Sequence, residues 1–341
     1  MAAGRDDVVT RRLSLRRSAA GALCLASVAY AGAAGLATTP AAATAAVRPR
    51  AAVSCAVARA LPEPIPVAVH RVGRGTVFVA GVCIDGRGPF PFIVDSGSVQ
   101  SVVATALARR LRLASAGPAL QAEGISCRET VHPARIGPWS LGPIALAPQE
   151  VLTAVLPRLF GIRIDGLLGS DVLSRFGAVR LDATRHALFV AGPERSFAVA
   201  ARVRLPSALA RGSVTRVPLA VVRRGGRVIA LTDVVFGSDD SQFVVDTGAV
   251  VSVVSAATAA AARLSAAPGH LELAAVGCTA RLGEVHSGRW RLSGTTLRPE
   301  RLGRLRPGGI GVAGLLGSDV LLAHGAAVLD YAGHALMLAR G

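Results

Sequence analysis

From Val67 onward the chain alternates short apolar runs with brief polar or Gly-rich breaks. Thr76-Val77-Phe78-Val79-Ala80-Gly81-Val82-Cys83-Ile84 is followed by Asp85-Gly86-Arg87-Gly88 and then by a second apolar run ending at Phe92-Ile93-Val94. Two β-rich runs around such a break predict a hairpin. Arg227 to Phe236, Gly237-Ser238-Asp239-Asp240 and Phe243-Val244-Val245 repeat the plan. Helix-like runs follow at Ala104 to Leu113 and Ser255 to Leu264. Asp182-Ala183-Thr184-Arg185-His186 and Asp330-Tyr331-Ala332-Gly333-His334 interrupt apolar runs as turns, which makes their Asp and His residues structural. The pattern is all-β in class, mainly strand with short helices.

Both hairpins run into the same three-residue signal. Phe92-Ile93-Val94-Asp95-Ser96-Gly97-Ser98 becomes Phe243-Val244-Val245-Asp246-Thr247-Gly248-Ala249 at an offset of 151 (246 − 95). One Asp-Ser/Thr-Gly is an ordinary turn. Here a second motif repeats as well: Gly166-Leu167-Leu168-Gly169-Ser170-Asp171-Val172-Leu173 returns unchanged as Gly314 to Leu321, at an offset of 148 (319 − 171). Cys127 and Cys278 keep the first register, and His186 and His334 the second. Such self-similarity marks one unit used twice.

At these residues the chain resembles the aspartic proteases, both the two-lobed pepsin-like enzymes and the retropepsin-like dimers of single lobes. The family pattern is a hydrophobic strand into Asp-Thr/Ser-Gly, then two hydrophobic residues and Gly, once per lobe. The resemblance runs from about Val67 to the C-terminus. It implies a bilobal acid-protease fold, with two similar β-barrel-like lobes about a pseudo-twofold axis. The lobes span 67–195 and 213–341, joined by 196–212 and preceded by a linker at 47–66.

The resemblance also assigns roles. Asp95 and Asp246 are the catalytic pair, sharing a proton and activating a water between them. Ser96 and Thr247 bond across to the opposite loop, and Gly97 and Gly248 let the loops approach. Ser98 is placed to bond the outer oxygen of Asp95, something Ala249 cannot do for Asp246. Leu167-Leu168-Gly169 and Leu315-Leu316-Gly317 run beneath the loops and brace them. Segments near Ile125 to Ile136 and Ala275 to Glu284 are the hairpins over the cleft. No flap Tyr is available, since the chain has only Tyr30 and Tyr331. Trp139 and Trp290 read as core anchors. Lobes of about 125 residues suit fused retropepsin-like lobes. Asp171 and Asp319, following Ser at the start of helix-like segments, read as cap residues.

Charge adds a class to exclude. The formal net charge of +17 rests on 38 basic residues, all Arg. They are scattered without interleaved aromatics, so no nucleic-acid partner is expected. No metal is expected either, because no paired Cys-x-x-Cys occurs and the seven His are dispersed. Gly309-Ile310-Gly311-Val312-Ala313-Gly314 spells a dinucleotide fingerprint outside any βαβ unit, so no cofactor follows. There is no Gly-x-Ser-x-Gly, and a chain without Lys has no Ser-Lys pair.

Residues 1–46 read as an export segment. Thr10-Arg11-Arg12-Leu13-Ser14-Leu15-Arg16 resembles a twin-arginine signal, Ser18 to Val47 carry no charge, and Ala43-Thr44-Ala45-Ala46 offers a cleavage site. The alternative is a retained membrane tether. Outside the cytoplasm Cys55, Cys83, Cys127 and Cys278 can form disulfides, with three connectivities open. The expected activity is aspartic endopeptidase action on a peptide or protein substrate, by an exported chain sufficient as a monomer. The alternative is a catalytically silent peptide-binding or scaffold protein of the cell envelope using the same cleft.

Overall fold

Gly75–Ile84 forms a ten-residue strand buried along nearly its whole length. Its continuous apolar run therefore lies inside the molecule with both faces covered, rather than lying on a wet face. In the computed structural model this strand pairs antiparallel with Ile65–Val72 on one side and with Arg87–Val94 on the other. Asp85 and Gly86 take positive φ in the intervening turn, and so the first aspartate arrives on a hairpin arm. The second does likewise, on Arg227–Phe236 paired with Asp239–Val245. The structure describes residues 23–24, 29–30, 55, 64–123, 128–158, 161–191, 214–236, 239–275, 278–286, 290–292, 295–297, 301–304 and 312–339. The inter-lobe linker 196–212, Cys127, Gly309 to Gly311 and most of the export segment lie outside these residues.

Each Asp-bearing strand then meets its Leu-Leu-Gly segment. Gly166–Leu168 runs parallel to Arg87–Val94, with Ile93 opposite Leu167, and antiparallel to Val102–Ala104, which leaves the Asp loop. Gly314–Leu316 stands in the same relation to Asp239–Val245 and to Val253–Val254. The Leu-Leu-Gly strand is thus wedged between the strand that delivers the aspartate and the strand that carries the chain away. A side chain at Gly166 would overlap the Phe92 ring, and one at Gly314 the Phe243 ring, so only Gly fits there.

The two halves share a sheet. Ala178–Asp182 pairs with Ala326–Asp330, Leu181 opposite Ala327, and each continues into its own hairpin partner, Ala187–Val190 or Ala335–Ala339. Val214–Pro218 closes one side and Ile65-Pro66 the other. Ile65 and Pro66 belong to the first strand, because Ile65 is buried in the core and Pro66 lies opposite Ala187. The turns after Asp182 and Asp330 are the expected hairpin turns: Asp182 accepts from Thr184 and Arg185, Asp330 from Gly333, and His186 and His334 take positive φ.

The helices are short. Thr105–Leu111 ends where Arg112 turns left-handed, and Ala256–Ala261 begins at Ser255, whose hydroxyl accepts from the Thr258 amide. Trp139 is buried, as expected of a core anchor, and its indole donates to Ala147 O at 2.9 Å. Among the open connectivities the structure forms Cys55–Cys83. No helix among the described residues is long and apolar enough to cross a membrane.

Candidate active site

Each aspartate is held by its own loop. Asp95 Oδ1 accepts the amides of Gly97 and Ser98, both at 3.0 Å, and Asp246 Oδ1 accepts those of Gly248 and Ala249, both at 2.9 Å. An Asp side chain bonded to the backbone two and three residues on makes a tight local turn. Asp95 N donates to Leu168 O and Asp246 N to Leu316 O, each at 3.0 Å, so the Leu-Leu-Gly strands support the loops from below. Gly169 and Gly317 allow that contact. A Cβ on Gly169 would sit 2.8 Å from Ser98 O, and one on Gly317 2.7 Å from the Val251 carbonyl carbon.

The loops lock to each other by a reciprocal exchange. Ser96 Oγ donates to Val245 O at 2.7 Å and accepts Thr247 N at 3.0 Å. Thr247 Oγ1 donates to Val94 O at 2.8 Å and accepts Ser96 N at 3.0 Å. All four bonds are buried, and each hydroxyl is satisfied as both donor and acceptor. Gly248 then brings the second loop against the first carboxyl group; a Cβ there would lie 2.6 Å from Asp95 Cγ.

That approach sets the electrostatics. Asp95 and Asp246 are fully buried and near enough for the charge of Asp95 to act on Asp246, and the Oδ2 atom of each has no hydrogen-bond partner among the described residues. Burial raises the Asp95 carboxyl to about 6, against the amides of Ser98 and Gly97, which favour its ionised form. Asp246 is pushed well above the ordinary carboxylate range, first by burial and then by the charge of Asp95. Two carboxylates this close cannot both ionise cheaply, and so one proton is shared between them.

Three details differ from expectation. Ser98 Oγ donates to Gln100 O at 2.8 Å rather than to Asp95, and the Ser98 contact that Asp95 receives is a backbone amide equivalent to that of Ala249. Asp171 and Asp319 are not caps: Gly169 and Gly317 hold the cap positions, and neither makes a side-chain cap bond. Asp171 Oδ1 instead accepts Ser101 Oγ at 2.7 Å, and Asp319 Oδ1 accepts Ser252 Oγ at 2.7 Å. Ser101 and Ser252 also accept the Gly169 and Gly317 amides, so each fastens an Asp loop to its Leu-Leu-Gly strand. Sequence reasoning passed over these two serines. Their signal was present, because Ser252 follows Ser101 at the same offset of 151 (252 − 101) as the aspartates.

The cleft hairpins begin earlier than expected. Leu120–Glu123 pairs with Arg128–Ile136, and Ala266–Ala275 with Cys278–His286; the segments proposed from sequence cover mainly the tips and return arms.

A further asymmetry comes from Tyr331, whose equivalent in the first half is Ala183 (331 − 148). Tyr331 is buried, and its hydroxyl lies 3.0 Å from Ser170 Oγ, which donates to Ser96 O at 2.7 Å. Because Ser170 spends its proton on Ser96, the Tyr331 hydroxyl is the donor in their contact. Burial pushes its phenol pKa up, so it stays protonated. In the other half Ser318 Oγ receives the Thr76 amide at 2.9 Å. Among the described residues, the Asp95 loop therefore carries a support that the Asp246 loop lacks.

The aspartyl protease family model matches residues 80–172. This match supports an aspartic protease assignment. It takes in the first Asp loop, the first cleft hairpin and the first Leu-Leu-Gly strand, and ends before the second aspartyl protease-like motif at Asp246. Among solved structures the chain is similar to conglutin gamma, a basic 7S globulin from lupine seeds. That likeness has 10% identity and a TM-score of 0.40 over 82% of this chain and 96% of the other. No curated protein matches the chain.

Proposed function

We propose that the protein is an aspartic endopeptidase that hydrolyses peptide bonds with a water activated between Asp95 and Asp246. The observation that carries the proposal is the pair of fully buried carboxyl groups on two interlocked loops, each with one oxygen fixed by two amides and the other without a hydrogen-bond partner among the described residues. The ionised carboxylate takes a proton from water as the oxygen attacks the scissile carbonyl. The protonated partner gives its proton to the carbonyl oxygen, forming a gem-diol. Its collapse returns a proton to the leaving amine, and the products are a carboxylic acid and an amine. No covalent enzyme intermediate is needed.

Both carboxyl groups come from one chain, so a monomer suffices. The lean lobes, the duplicated motifs and the lack of a hairpin Tyr favour two retropepsin-like lobes fused in one chain, at 67–195 and 213–341 with the first strand extended back to Ile65. We further propose that the substrate is a peptide or unfolded protein, and that residues 1–46 export the chain or tether it to a membrane. The test is incubation of the purified chain with an unfolded reporter protein and mapping of the new termini. Cleavage by the parent and none by Asp95→Asn is the expected result; equal cleavage by both would remove the dyad from the mechanism.

A further inference from the structure

Tyr331 is buried, and the reaction proposed above gives it no part. Its place is set by the sheet that the two halves share. It follows Ala326–Asp330, whose last residue lies opposite Ala178, and the next amide, that of Ala332, donates to Gly177 O at 2.9 Å. Gly177 ends the helical stretch Ser170–Leu173 and Ser174–Phe176 that follows the first Leu-Leu-Gly strand. A side chain of the second half is thereby brought to the helix start of the first.

The bonds that begin there run on to Asp95. The Tyr331 hydroxyl donates to Ser170 Oγ at 3.0 Å, and Ser170 Oγ donates to Ser96 O at 2.7 Å. Ser96 O belongs to the same peptide unit as the Gly97 N–H, which donates to Asp95 Oδ1 at 3.0 Å. A peptide whose carbonyl accepts a bond is polarised and gives from its N–H more strongly, by about 10–30% per bond in such chains. A stronger bond to the carboxylate favours its ionised form. The second half has no such start: the counterpart of Tyr331 is Ala183, which has no proton to give, and Ser318, the counterpart of Ser170, receives the Thr76 amide. The charged groups that act on Tyr331 are Asp95, Asp171 and Arg223. Asp171 is engaged by Ser101 and Gln149, and Arg223 by Ser174 Oγ at 2.9 Å. Asp246 faces Asp95 from the other loop, and the charge of Asp95 helps to hold a proton on it.

We propose that Tyr331 is a positioning residue that keeps Asp95 the ionised member of the pair, acting through Ser170 and the Ser96–Gly97 peptide. This rests on the aspartic-protease reading of the dyad and gives each carboxyl group its part. Asp95 takes a proton from the attacking water, and Asp246 gives its own to the scissile carbonyl oxygen. As the gem-diol collapses, Asp95 passes its proton to the leaving amine and Asp246 regains one from a gem-diol hydroxyl. The pair thus ends with the one proton it began with. Two identical lobes could not make this distinction, whereas the halves of this chain differ at 183 and 331. Without the phenol proton the ionised Asp95 loses part of its support, so its proton leaves only at higher pH.

The experiment uses the full chain and Tyr331→Phe, which keeps the ring in the core and removes only the hydroxyl. The acid limb of kcat/KM for an unfolded reporter protein is expected to move to higher pH, with KM unchanged. On the acid side kcat/KM should fall roughly threefold, the equivalent of about half a pH unit. Ser170→Ala should move the limb the same way, and the double variant no further than the larger single effect, as two members of one chain require. Trp139→Phe is the control: it removes a buried bond to Ala147 O outside the relay, so it should cost stability and leave the limb in place. A second readout needs no cleavage. In the chain carrying Asp246→Asn, the Asp95 carboxyl titration is followed by carbon-13 NMR, assigned by its loss in Asp95→Asn, and its midpoint should rise when Tyr331→Phe is added. An unmoved limb and midpoint in folded Tyr331→Phe, or a limb moved as far by Trp139→Phe, would overturn the proposal. A raised midpoint together with no cleavage by the parent would sink the hydrolytic reading and leave this one standing. Cleavage by the parent with an unmoved midpoint would do the reverse.

Discussion

Asp246→Asn is expected to abolish peptide cleavage and yet to stabilise the folded chain at pH 7. Both carboxyl groups titrate above their unfolded value of 3.8, Asp95 at about 6 and Asp246 well beyond the usual range. The folded chain therefore holds protons that the unfolded chain has released. The stability this contributes is complete below about pH 3.8 and is lost as pH rises through about 6 for Asp95, and higher still for Asp246. At pH 7 the fold bears the cost of keeping on Asp246 a proton that the unfolded chain has released. Asn keeps an oxygen for the amides of Gly248 and Ala249 and removes that cost. Urea denaturation at pH 7 and at about pH 3.5 measures the effect. The gain should be present at the higher pH and absent at the lower. A variant no more stable than the parent at pH 7 would mean that the dyad is not strained by its burial, a stability–function trade-off being the usual mark of such sites.

The second large effect is expected from Gly248→Ala. The new methyl carbon would lie 2.6 Å from Asp95 Cγ and 2.8 and 2.9 Å from its oxygens. Asp95 cannot retreat without breaking its bonds to Gly97 and Ser98 or the Ser96–Thr247 exchange. Overpacking against a fixed group should cost about 2–4 kcal/mol. A misplacement of about 1 Å at the reacting groups should lower kcat/KM roughly 100-fold. Gly117→Ala is the control, because a Cβ there meets only Pro133 Cγ at 4.0 Å, and it should change neither quantity. Parent-like activity in Gly248→Ala would show that the second loop leaves room for a methyl group beside Asp95.

What could be read from the sequence follows from which interactions are local. The Asp loops were legible because an Asp that accepts the amides two and three residues on needs Gly and a small neighbour in consecutive positions, and it leaves that mark twice. The Leu-Leu-Gly strands were legible because Gly166 and Gly314 have no room for a side chain, so the whole motif repeats without change. Long-range partners left weaker marks. Ser98 was assigned to Asp95 by proximity along the chain, yet its hydroxyl turns to Gln100 O, which only the course of the loop decides. Asp171 looked like a cap from its neighbours, whereas its bond comes from Ser101, 70 positions away. The pairing of Cys55 with Cys83 and the reach of Tyr331 to Ser170 across 161 positions depend on how the halves meet, and no spacing encodes that.

Hydrolysis by the Asp95–Asp246 pair is tested most directly by the pH dependence of kcat/KM for cleavage of an unfolded protein, measured on the full chain and on a chain lacking residues 1–46. Catalysis requires one proton on the pair. With burial raising both carboxyl groups, the pair is doubly protonated and inactive in strong acid and becomes active as pH rises through about 6. An acid limb near that value, a maximum on its neutral side, and no activity in Asp95→Asn at any pH are the expected results. Cleavage that persists in Asp95→Asn, or none at any pH by a folded sample lacking residues 1–46, would contradict hydrolysis by this pair.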